Sequence, residues 1–89
     1  MMTLHILNKT PEHPRFRRCI EAIGESDQLL LIENAVLALS AKGVELPGRV
    51  IALASDLDAR GVVAAGEIDI IHYDDMVALA ATADRIISW

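Results

Sequence analysis

Cysteine is nearly absent from this sequence: Cys19 is the only one in 89 residues. No intrachain disulfide framework can form, and a reducing compartment is the natural setting. Basic residues are also few, with 8 Lys and Arg against 13 Asp and Glu and a net charge of −5. Because phosphate neutralisation drives most nucleic-acid affinity, direct binding to nucleic acid is not expected, and anionic membrane surfaces are disfavoured on the same ground. Apolar runs such as Leu29 to Ile32 and Val50 to Ala54 fall far short of the roughly 20 residues that a membrane-spanning helix needs. His5, Asn8 and Lys9 interrupt the first apolar stretch where a signal peptide would be continuous, so a cytoplasmic location is expected. Neither a Gly-x-Gly-x-x-Gly turn nor a Gly-x-x-x-x-Gly-Lys-Ser/Thr loop is present, which excludes the common nucleotide cradles. His5, His13 and His72 are scattered and lack cysteine partners, so no metal and no cofactor are expected. No Gly-x-Ser-x-Gly elbow supplies a nucleophile.

What the sequence does have is apolar mass. The apolar set makes up 53% of 89 residues, above the average for a globular domain, although a chain this short builds only a thin core. Part of that apolar surface is expected to meet another chain, in an oligomer. One domain spanning 1–89 is expected, with no internal linker.

Along the chain, Thr3 to Leu7 reads as a first strand, closed by the breakers Asn8 to Pro11. Pro14 suits a first helical position, and Phe16, Cys19, Ile20 and Ile23 recur at helical spacing up to Gly24, leaving Arg15, Arg17, Arg18 and Glu21 toward water. Gln28 to Glu33 has the continuous apolar interior of a central parallel strand. Asn34 is placed to cap a second helix over 35–39, with Gly43 as its stop. Val50 to Ala54 is a third strand, and Ser55 to Gly61 a capped helical turn with Gly61 at positive φ. Ile68 to His72 is a more polar fourth strand, nearer an edge. Asp74 is placed to cap a last helix whose Met76, Val77, Ala80 and Ala83 share a face, and 85–89 is a short fifth strand. This alternation predicts an α/β fold: a mainly parallel sheet of four to five strands flanked by helices. Asp56, Asp58 and Arg60 cluster at a strand's carboxyl end, where α/β proteins bind ligands, but capping and helix termination account for the same pattern.

Four stretches taken together resemble the TusB/DsrH family of sulfur-relay proteins: Leu4-His5-Ile6-Leu7-Asn8-Lys9-Thr10-Pro11, then Leu30-Leu31-Ile32-Glu33-Asn34-Ala35-Val36, then Asp56-Leu57-Asp58-Ala59-Arg60-Gly61, and Tyr73-Asp74-Asp75-Met76-Val77 with the closing Ser88-Trp89. The resemblance implies a DsrE-like α/β fold (the DsrE/DsrF/DsrH-like superfamily). It also implies a heteromeric complex with TusC/DsrF-like and TusD/DsrE-like sister subunits, passing sulfur as a persulfide to a TusE/DsrC-like carrier. The sulfur then ends in 2-thiolation of the tRNA wobble uridine or in sulfur oxidation. The main sulfur-accepting cysteine of such complexes belongs to the TusD/DsrE-type sister, and the expected role here is an accessory subunit rather than an enzyme in its own right. Cys19 matches a helix cysteine of DsrH-like members and is the candidate sulfur acceptor of this chain. Its apolar neighbours on the helix favour packing, while Arg15 and Arg18 would favour a thiolate. Two alternatives stand beside the relay subunit: an autonomous persulfide carrier that uses Cys19, and a homo-oligomeric binding module that has kept the fold without the relay.

Overall fold

The computed structural model describes residues 1–64 and 66–89. Five strands, β1 (Thr3–Leu7), β2 (Gln28–Leu31), β3 (Val50–Leu53), β4 (Ile68–Ile71) and β5 (Arg85–Ser88), form one sheet in the order β4-β3-β2-β1-β5. Every pairing is parallel. The continuous apolar run of β2 therefore sits at the centre, covered on both faces, and the polar Asp69 sits in β4 at an edge, both as the residue patterns predict.

Helix α1 (Pro14–Ala22), a 3₁₀ helix (Glu33–Leu39) and α2 (Ala54–Ala59) join β1 through β4. They pack on one face, where Leu7, Leu29, Leu31, Val50 and Ala52 meet Phe16, Cys19, Val36 and Leu57. The other face is thinner. There α3 (Tyr73–Thr82) alone lays Met76, Leu79, Ala80 and Ala83 over Leu4, Leu30 and Ile51. Val77, expected on the inner face of this helix, is 52% exposed, and Leu79 takes the inward position instead.

Helix boundaries depart from the sequence expectations wherever a cap comes from elsewhere. Pro14 opens α1 as expected, with the His13 Nδ1 accepting the Arg15 N–H at 3.0 Å. Asn34 caps nothing. The second helix is 3₁₀, begins at Glu33 one residue after β2 and ends at Leu39 with Ser40 as its C-cap, and Gly43 lies in the turn beyond at φ 76°. Neither Ser55 nor Asp56 caps α2, whose N-cap is Leu53. The last helix starts from His72 rather than Asp74, and the Asp75 carboxylate accepts the His72 N–H at 3.1 Å. The chain turns into α2 directly from β3, and only one residue, Ile32 or His72, stands as N-cap between strand and helix at the other two turns.

Gly61 takes φ +61°, and a Cβ added there would meet nothing within 4 Å. The cost of a substitution is therefore purely backbone. Gly61→Val is expected to lower stability by about 1–2 kcal/mol, the left-handed penalty for a side chain, whereas Gly61→Asn should cost less. Urea melts of the two variants check this; equal stability of Gly61→Val and the parent would refute it.

Candidate functional site

Cys19 lies on the inward face of α1 with 0% exposure, enclosed among the aliphatic side chains of the larger core. Burial pushes its thiol up to about 12, so in this conformation the sulfur is a protonated, apolar-packed group rather than a nucleophile. Arg15 and Arg18 point their charge to solvent from the outer face, where the thiol does not reach.

The polar cluster at the carboxyl ends of β2 and β3 is built from two segments. Asp56 sends one carboxylate oxygen to the Glu33 N–H at 2.8 Å, and Arg60 Nε donates to the Asn34 Oδ1 at 3.1 Å. Arg60 also approaches the Asp56 carboxylate at 3.5 Å. Asp58, grouped with them in the sequence, stays exposed. Glu33 has φ 50°, the only positive value among the described non-glycine residues. Its strained turn is held by Asp56 from 23 residues away. The cluster is satisfied internally, and its ordered effect is to fasten the 3₁₀ helix to α2.

A third arrangement joins residues the sequence keeps far apart. The Trp89 Nε1–H donates to His5 Nδ1 at 3.1 Å, and the rings stack with centroids 6.2 Å apart at 19°. Indole nitrogen can only donate, so Nδ1 must be bare and Nε2 must carry the ring proton. Nε2 then donates to the Asp27 carboxylate at 3.0 Å. Asp27 also accepts the Gly24 N–H at 2.9 Å and the Thr3 N–H at 3.2 Å. His5 is 1% exposed. The imidazole is thus enclosed and spoken for at both nitrogens, which makes it a clip joining β1, β5 and the turn before β2 rather than a base open to a substrate. Asp27 and Trp89 escaped the residue-by-residue reading. Only the pairing of β1 with β5 reveals the Trp89 contact: Thr3 beside Arg85 puts His5 opposite Ile87 and Trp89 next along the same face, and local pattern does not carry that strand order.

The Gly24 N–H, then His5, hold the Asp27 carboxyl down at about 2. A carboxyl depressed from its ordinary value of about 3.9 contributes stability above that value and loses it as the pH falls toward the folded value. Stability is therefore expected to drop between about pH 4 and pH 2, and Asp27→Asn should lose that portion of the drop. Denaturant melts followed by Trp89 fluorescence at each pH measure it; an unchanged acid limb in the variant would exclude Asp27 as the cause.

No three His, Cys, Asp or Glu side chains among the described residues converge in a way that could hold a metal ion. No helix of the described residues is long and apolar enough to cross a membrane.

Comparison with known proteins agrees along almost the whole chain. A family profile described as "DsrH like protein" matches residues 9–86. Protein TusB of Enterobacter sp. (strain 638) is 37% identical over 94 aligned positions, which cover 97% of this chain and 99% of that protein. Protein TusB of Escherichia coli (strain K12) is 31% identical with the same coverage. Among solved structures, the crystal structure of the ychN protein from E. coli superposes with a TM-score of 0.74 over 100% of both chains at 16% identity, a likeness of fold. The solution structure of protein Tm0979 from Thermotoga maritima matches with a TM-score of 0.66 at 28% identity, covering 90% of this chain and 92% of that one.

Proposed function

This chain belongs to the DsrH/TusB family, and from that premise we propose that it is the TusB-type subunit of a heteromeric sulfur-relay complex. In this reading its partners are TusC/DsrF-like and TusD/DsrE-like sister subunits, and sulfur leaves as a persulfide toward a TusE/DsrC-like carrier in the cytoplasm. The observation that carries the reading is the near-complete coverage by proteins named TusB at up to 37% identity. In this reading the sulfur ends in 2-thiolation of the tRNA wobble uridine or in sulfur oxidation. Two features of the chain support an accessory role. Its one thiol is enclosed, and Tyr73, Val77 and Ile86 remain exposed on and beside the face that α3 covers alone, apolar surface that association would bury.

Co-expression with both sister subunits, followed by native mass measurement and a persulfide-transfer assay to the carrier, tests the proposal. A defined hetero-oligomer that passes sulfur is expected. A chain that stays a stable monomer by light scattering and ignores both sisters would sink it.

Sulfur acceptance at Cys19 would require α1 to lift from the sheet. Alkylation of Cys19 is therefore expected to be slower in the native chain than in urea by roughly 100-fold or more, because it waits on local opening. Cys19→Ser should leave relay through the complex unchanged. Addition of one sulfur to Cys19 by a persulfide donor, with transfer lost in the serine variant while assembly persists, would instead establish the Cys19 carrier.

A further inference from the structure

Lys9, Arg15, Arg17 and Arg18 are half of the eight Lys and Arg in a chain of net charge −5. The three arginines stand exposed on α1. None of the four takes part in an ion pair among the described residues, whereas Arg49 and Arg60 are paired with Asp69 and Asp56. The placement works against the free chain on two counts. The first turn of α1 holds no acidic residue, so Arg15 and Arg17 stand at the positive end of the helix dipole without a carboxylate in the same turn. Arg15 and Arg18 are also like charges three residues apart on one helix. Glu12 and Glu21 are the carboxylates of this face, yet neither comes within ion-pairing distance of these arginines among the described residues, which leaves the arginines free to be compensated from outside the chain.

The chemistry of that outside group follows from the side chains. Guanidinium forks bind carboxylates through paired hydrogen bonds, with a geometry that ammonium groups lack. A nucleic acid would use the charge as well, but it gains from aromatic faces on which bases stack. Beside these arginines only the imidazole of His13 is exposed, and its Nδ1 is committed to the Arg15 N–H as the helix cap, while Phe16 is buried in the core, Trp89 is engaged with His5, and Tyr73 belongs to the helix on the opposite face of the sheet. The overall negative charge also repels a long polyanion beyond the patch.

We infer that the solvent face of α1 is a docking surface for an acidic protein surface, and, resting on the relay reading above, that this surface belongs to another chain of the relay complex. Charge reversal tests it, using Arg15→Glu, Arg17→Glu and Arg18→Glu together in the full chain. Binding of labelled poly-glutamate, of the sister subunits and of the carrier is measured at low and high salt. The parent should bind poly-glutamate and at least one relay chain, more weakly as salt rises, and the triple variant should lose about tenfold or more in both. Its melting temperature should equal or exceed that of the parent; if it fails to fold, the triple glutamine variant is held to the same binding criteria. Poly-glutamate binding without any relay partner would keep the surface and overturn the relay reading. Sister subunits and a carrier that all bind parent and variant equally well would keep the relay reading and overturn the surface. Preference of the parent for a tRNA-sized RNA over poly-glutamate, lost in the variant, would also overturn it in favour of nucleic acid.

Discussion

Replacing His5 with alanine is expected to destabilise the fold by about 3 kcal/mol, the sum of a core cavity, one orphaned indole N–H and one lost bond to Asp27. The side chain is 1% exposed, accepts from Trp89 and donates to Asp27. Removing it leaves the indole N–H without its acceptor and takes one of three donors from Asp27, whose bonds to the Gly24 and Thr3 N–H groups remain. Trp89 is the only tryptophan, so its fluorescence reports the same event that the urea midpoint measures. Trp89→Phe narrows the contributions: it keeps a smaller ring against His5 and removes the hydrogen bond, for an expected loss of about 1–2 kcal/mol. A His5→Ala variant within about 0.5 kcal/mol of the parent would mean that the clip contributes nothing to stability.

Leu31→Ala should cost about 2–5 kcal/mol, a large part of the roughly 5–15 kcal/mol that holds a domain together. Leu31 is 0% exposed in the central strand, in register with Leu7 on one side and Ala52 on the other, and it faces the larger core. Ile86→Ala makes the control. Ile86 is 45% exposed on an edge strand, and its loss should cost less than about 1 kcal/mol. Denaturant midpoints of the two variants, at equal m-values, measure the difference; similar shifts would show that the core is not where the packing places it.

The strands were legible in the sequence because burial on two faces writes itself as unbroken apolar residues, as in Leu29 to Leu31 and Val50 to Leu53. Asp69 likewise marked β4 as an edge, and Gly61 marked a left-handed stop. Of the helix starts only that of α1, at Pro14, was legible. The Glu33 N–H is satisfied by Asp56, a partner 23 residues away that only the β2–β3 pairing brings near, so a search for adjacent caps settled on Asn34 instead. Val77 and Leu79 exchanged roles because α3 is apolar nearly all round, which blurs the face that periodicity is meant to reveal. His5 is satisfied at both ring nitrogens within the fold. The partners that satisfy it could not be named, since Trp89 stands 84 positions away and the strand order is not written in local pattern. For Cys19 both packing and reactivity were open until its 0% exposure was seen.

The position of β5 beside β1 carries a consequence for how the molecule is made. Residues 3–6 pair with residues 85–88, so a nascent chain can assemble β1 to β4 in order while the outer edge of β1 waits with unmet N–H and C=O groups. At about 5–20 residues per second, roughly 4–16 s separate the synthesis of β1 from that of its last neighbour. Closing this loop late has a modest entropic cost, because loop closure grows only with the logarithm of length. The exposure in the meantime is the greater hazard, since an open apolar edge is a template for pairing with other chains. Conditions that stall translation near residue 80 should therefore raise aggregation of this chain more than stalls that leave β1 still in the ribosome.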